Sequence, residues 1–140
     1  DLADANINGN VIAGGEALDR SGYFIPPTIV RDIANNAKIV CEEQFGPVLP
    51  VLPYSDLDEV IAMANDSDYG LAATVWGNDI ERATQVAARI NSGTVWVNQH
   101  LAIEAGIPFR GAKQSGLGAE LGEAGLHEYT QAKIINAVAL

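Results

Sequence analysis

The chain has 140 residues, 48% hydrophobic and 19% charged, a balance that suits about one globular domain and argues against wholesale disorder. Its 18 acidic residues outweigh 8 scattered basic ones, for a net charge of −10, a field that repels nucleic-acid phosphates and anionic lipid headgroups. No apolar run nears the roughly 20 residues of a membrane span, the start lacks the features of a secretory signal, and the lone Cys41 forms neither an internal disulfide nor a zinc cluster. The expectation is a cytoplasmic protein without nucleic-acid or membrane partners.

Apolar positions switch between period two and period 3.6, the pattern of an α/β chain. Val11-Ile12-Ala13 predicts a strand closed by Gly14-Gly15, and Thr28-Ile29-Val30 a second, entered through Pro26-Pro27. Val48 to Leu52 reads as a third strand, with Pro50 placing it at an edge. A helix follows, with Ser55 as N-cap, Asp56 and Asp58 in its first turn, and Leu57, Val60, Ile61 and Ala64 on one face. Leu71 to Trp76 returns to strand character. A second helix is predicted from Asp79 to about Ile90, capped by Asn78, with Ile80, Ala83, Ala87 and Ile90 turned inward. Thr94 to Val97 is the best strand in the chain, and this alternation predicts parallel pairing through crossovers. Residues 98–122 are irregular and glycine-rich, as functional loops of that length often are, and a short helix is expected near Glu123 to Tyr129. Ile134 to Ala139 has strand character, yet too few residues follow it to cover it, which invites a strand from another chain.

Several residues could carry chemistry. The run from Gly116 to Gly122 has G-x-G-x-x-x-G spacing, but the polar residues 111–115 before it are not the strand that a dinucleotide fingerprint requires. Cys41 is followed by Glu42 and Glu43, carboxylates that disfavour a thiolate, so the inert reading is preferred. His100 and His127 lack companions at metal-ligand spacing; His127 suits a surface role, whereas His100 ends a strand and leads into the glycine-rich loop. Glu42-Glu43-Gln44-Phe45-Gly46-Pro47 supports two readings. It is either a solvated acidic turn with Phe45 anchored in the core, or a carboxylate for sugar hydroxyls beside a ring that walls a flat ligand.

The segment Glu42 to Val48 resembles the E-E-x-F-G-P-V motif of the NAD(P)-dependent aldehyde dehydrogenase superfamily. Gly22 to Thr28, Ala64 to Ala73, Gly93 to Asn98 and Pro108 to Gly118 resemble four further motifs of that family, in family order, followed by Gly125-Leu126 and Tyr129-Thr130. The resemblance covers residues 14–135. It implies the C-terminal part of an aldehyde dehydrogenase catalytic domain, a Rossmann-like parallel sheet with flanking helices over residues 1–130, and a terminal oligomerisation strand over 131–140.

By resemblance, the parent enzyme oxidises an aldehyde to a carboxylic acid with NAD or NADP through a cysteine thiohemiacetal and thioester. Glu43 then inherits contact with the nicotinamide ribose and Phe45 contact with the nicotinamide ring. His100, Leu101, Ile103 and Phe109 border the aldehyde tunnel, Glu120 is an auxiliary acid near the thioester, and the terminal strand builds a homodimer or homotetramer. Two positions depart from the pattern: Arg110 replaces the first glycine of a G-G pair, and Ala119 replaces a common arginine, removing an ion pair near Glu120. The family's nucleophilic Cys, its general-base Glu and its cofactor domain have no counterpart here, so the chain alone is expected to be inactive. The alternatives are an acylating, coenzyme A-dependent relative, or a non-catalytic strand-pairing module.

Overall fold

The period-two stretches of the sequence become strands, but they distribute over three small sheets. A computed structural model describes residues 2–139, and the chain divides into two compact units, Asp1–Ser67 and Asp68–Leu140.

In the first unit, helix α1 (Leu2–Asn8) leads into strand β1 (Asn10–Ala13). Strand β2 (Thr28–Arg31) is central, antiparallel to β1 and parallel to β3 (Val48–Val51), with Val30 opposite Pro50. Pro50 sits on the edge strand, where its missing N–H leaves no ladder position empty. Val30 is fully buried with Ala5, Ile33, Ala37 and Ile39, and Val11, Val40, Val48 and Leu52 pack against this core. Thr28 is buried too, and satisfied: its Oγ1 accepts from Gly15 N at 2.9 Å and donates to Pro26 O at 3.0 Å. The unit also contains α2 (Lys38–Cys41) and α3 (Leu57–Asn65). The α3 cap is Asp56, whose carboxylate accepts from Glu59 N at 2.9 Å, rather than Ser55; a carboxylate adds charge to the first-turn amides that a hydroxyl lacks.

In the second unit, β5 (Ala72–Val75) and β6 (Thr94–Val97) pair in parallel across α4 (Ile80–Ala87), the expected strand–helix–strand unit. Asp79 caps α4, accepting from Arg82 N at 3.0 Å, in place of Asn78, and the helix ends three residues before Ile90. Ala83 is its buried residue, while Ile80, expected inside, is exposed. Two-residue strands β4 (Tyr69–Gly70) and β7 (Ala112–Lys113) pair antiparallel, and α5 (Gly122–Glu128) follows the glycine-rich loop.

The expected single parallel sheet is therefore replaced by a mixed three-stranded sheet and two two-stranded sheets. Alternating elements specify parallel crossovers but not which strands become neighbours. Here Gly70 is diverted, because its N–H donates to Ser115 Oγ at 2.8 Å and its carbonyl accepts from Gly93 N at 2.9 Å. The stretch Ile134–Ala139 forms no strand within the chain; Ile134, Ile135 and Val138 are 92, 80 and 87% exposed. Among the described residues no helix is long and apolar enough to cross a membrane.

Candidate functional site

In the first unit, the acidic turn is an arch held at both ends. Glu42 caps α2, with its N–H on Lys38 O at 2.9 Å. Its carboxylate lies 3.7 Å from Lys38 Nζ, and its carbonyl accepts from Gln44 Nε2 at 3.0 Å. At the other end, Pro47 O accepts from Thr28 N and Gly46 O from Val48 N, each at 2.8 Å, tying the turn to β2 and β3. Between these anchors the Glu43 carboxylate is exposed and makes no ion pair or hydrogen bond among the described residues. Phe45 is 94% exposed. The core-anchor reading of Phe45 is thereby excluded, since an anchored ring would be buried. The two neighbouring acids also differ: Glu42 is engaged by its own helix, while Glu43 is open to a ligand. Cys41 is exposed at the end of α2 with its thiol donating to Asn35 O at 3.3 Å.

In the second unit, the tunnel candidates are organised by a residue that sequence reasoning treated only as strand. Trp96, 6% exposed, donates from Nε1 to Ala102 O at 3.0 Å and so holds the loop that follows β6. Phe109 stacks on Trp96 with ring centres 6.3 Å apart, and His100 meets it edge-on at 5.8 Å. His100 Nδ1 also lies 3.0 Å from Thr74 Oγ1. Asn98 adopts a positive φ of 53° and clasps Gly77, accepting from its N–H and donating to its carbonyl, both at 2.8 Å. An asparagine closing a strand tolerates that conformation, which is the signal that could have marked this clasp. Leu101 and Ile103 are exposed and lie outside the ring cluster.

A cleft of about 400 Å³ opens beside this cluster, lined by Leu71, Phe109, Arg110, Gly111, the run from Ser115 to Glu120, Glu128 and Tyr129. Two sequence candidates, Phe109 and Glu120, meet there and exchange both backbone hydrogen bonds at 2.8 Å, whereas His100, Leu101 and Ile103 do not line it. The glycine-rich run forms one wall through turns at positive φ, with Gly116 at 138° and Gly118 at 80°. The strand before it, β7, belongs to an antiparallel pair, so the run lacks the parallel strand–loop–helix setting of a phosphate loop. His127 is exposed, with Nε2 3.5 Å from a Glu123 carboxylate oxygen. Among the described residues no three His, Cys, Asp or Glu side chains converge as metal ligands.

The sequence model of the aldehyde dehydrogenase family matches residues 2–135, and the chain belongs to that family. It is 52% identical over 126 residues to an aldehyde dehydrogenase of Agaricus bisporus, covering 90% of this chain and 25% of the relative. It is 48% identical over 122 residues to mouse retinaldehyde dehydrogenase 3, covering 87% of this chain and 24% of that protein. Among solved structures, the NAD+ complex of a Bacillus cereus aldehyde dehydrogenase superposes with a TM-score of 0.88 at 45% identity, over 93% of this chain and 27% of that one. The chain thus spans about a quarter of the length of the relatives it matches.

Proposed function

We propose that this chain is the C-terminal portion of an aldehyde dehydrogenase catalytic domain, within a polypeptide that oxidises an aldehyde to a carboxylic acid with NAD or NADP. The observation that carries the reading is the open pair on the anchored arch, a free Glu43 carboxylate beside an almost fully exposed Phe45. That pair, an acceptor beside an apolar ring, fits the nicotinamide end of the cofactor. Glu43 can accept from two ribose hydroxyls, and Phe45 offers an apolar face to a planar ring. When bound, the nicotinamide supplies a hydride acceptor. The contribution of this chain is placement: the arch fixes where ribose and ring sit, a proximity effect on a step whose reacting atoms lie elsewhere. On the other unit, Phe109 and its partners Trp96 and His100 supply a rigid aromatic wall for the aldehyde, and Glu120 an acid beside Phe109. The test is reduced-cofactor formation from a panel of short aldehydes. The polypeptide that carries this segment turns over, and the 140-residue chain alone does not. Turnover by the isolated chain that Cys41→Ser abolishes would overturn both this reading and the inert assignment of Cys41.

One observation favours a second role for the isolated chain. Ile134, Ile135 and Val138 expose apolar side chains on an unpaired backbone, the chemistry of a strand that adds to another subunit. Removing residues 134–140 from the longer polypeptide is expected to lower its mass in light scattering by at least one subunit; an unchanged mass would count against strand addition.

A further inference from the structure

Thr74 sets a hydroxyl against the aromatic cluster of the second unit. It stands opposite Trp96 in the parallel β5–β6 register, so the two side chains leave the strand pair on the same face. Trp96 is buried there under Phe109 and meets the His100 ring edge-on, while Thr74 Oγ1 lies 3.0 Å from His100 Nδ1. The imidazole is thus held at two points, by Nδ1 and by its contact with Trp96. The other ring nitrogen, Nε2, belongs to an exposed residue and makes no ion pair or hydrogen bond among the described residues. The backbone around it is held in a costly shape. Asn98 and Leu101 both have a φ of 53°, a region that leucine rarely enters. The clasp of Asn98 on Gly77 and the bond from Trp96 Nε1 to Ala102 O close this turn on either side of His100.

We infer that Thr74 is a positioning residue: it presents His100 Nε2 as a hydrogen-bond donor to aldehydes that carry an oxygen acceptor at the end remote from the carbonyl. This role rests on the reading that the aldehyde lies against the wall of Trp96 and Phe109. The Thr74 hydroxyl donates to Nδ1, which leaves the one proton of the neutral ring on Nε2. When the ring takes a second proton, Nδ1–H donates to Oγ1 instead, and Nε2 still carries its N–H. The exposed edge is a donor in both charge states. It therefore favours a carboxylate or another oxygen acceptor over an alkyl group of the same shape. An imidazole without the hydroxyl shares its proton between the two nitrogens and offers an acceptor part of the time.

The test compares 4-formylbenzoate with 4-isopropylbenzaldehyde, which share a shape but not an acceptor, in the polypeptide that carries this segment. The readout is the ratio of their kcat/KM values, in which losses common to both aldehydes cancel. Thr74→Val keeps the branched shape and is expected to lower the ratio about three- to tenfold, whereas Thr74→Ser keeps the hydroxyl and the ratio. His100→Phe should lower the ratio at least as far, and adding Thr74→Val to it should change the ratio no further. An unchanged ratio in Thr74→Val, even with both rates reduced, would make the hydroxyl a packing group and overturn the inference. So would a further fall in the double variant. The nitrogen NMR spectrum of the His100 imidazole at alkaline pH reports the tautomer without any turnover. The proton is expected on Nε2 in wild type and Thr74→Ser, and shared between the nitrogens in Thr74→Val. A proton on Nδ1 in wild type, or no change in Thr74→Val, would likewise overturn the assignment. If neither aldehyde is oxidised, the functional reading above falls, while the hold of Thr74 on His100 is still decided by the spectrum.

Discussion

Replacing Glu43 with glutamine is expected to slow the hydride step while leaving much of the cofactor affinity in place. The carboxylate is exposed on a turn whose two ends are fixed, by Glu42 on α2 and by Gly46 and Pro47 on β2 and β3. Glutamine keeps the size and the arch but replaces two strong acceptor oxygens with one acceptor and one donor. A hydrogen bond to a charged group contributes roughly 1.5–3 kcal/mol, so a loss expressed in the transition state slows the step about 10- to 100-fold. Single-turnover formation of reduced cofactor, measured with cofactor affinity in the polypeptide that carries this segment, separates placement from binding. Glu42→Gln is the control, because that carboxylate is engaged by Lys38 and caps its own helix. A slow step in Glu42→Gln with a normal one in Glu43→Gln would move the role by one residue. Normal rates in both would make the turn a solvated surface feature.

How far these residues could be read from sequence alone depended on how local their physics is. Pro26-Pro27 feeding β2, Pro50 on an edge strand and the parallel β5–α4–β6 unit rest on backbone sterics and short-range periodicity, and all three are present in the fold. The caps slipped by one residue because Ser55-Asp56 and Asn78-Asp79 each offer two capping side chains in succession, and in both pairs the aspartate takes the position. The one-turn helix α2 is too short to show a period. Sheet membership is non-local, which is why alternation predicted one sheet where there are three. At the candidate site, the turn from Glu42 to Pro47 was found but its two readings could not be separated, since composition does not say whether Phe45 faces the core or solvent. The meeting of Phe109 with Glu120 was invisible for the same reason: residues eleven apart in sequence become neighbours only through their backbone bridge.

Gly93→Ala is expected to be the most damaging single-methyl change in the second unit. Gly93 opens onto β6, and its N–H donates to Gly70 O at 2.9 Å, which ties the β6 entrance to β4. On its other side the Arg110 carbonyl lies so close that an added Cβ would overlap it, with the Arg110 carbonyl carbon 2.6 Å away as well. Both obstacles are backbone atoms, so no rotamer change relieves the clash. Either β6 shifts and loses the bond to Gly70, or the segment after Phe109 moves and disturbs its bridge to Glu120. Overpacking that displaces backbone costs about 3 kcal/mol, at the upper end for a single small-to-large substitution. Gly106→Ala is the matched control, because a Cβ there meets nothing within 4 Å and its φ is not positive. That change is expected to be neutral or stabilising by up to about 1 kcal/mol through the unfolded state. Chemical denaturation of the two variants side by side makes the comparison. A Gly93→Ala midpoint equal to that of Gly106→Ala would show that the backbone at Arg110 can yield, and would remove the close packing assigned to this edge of the cleft.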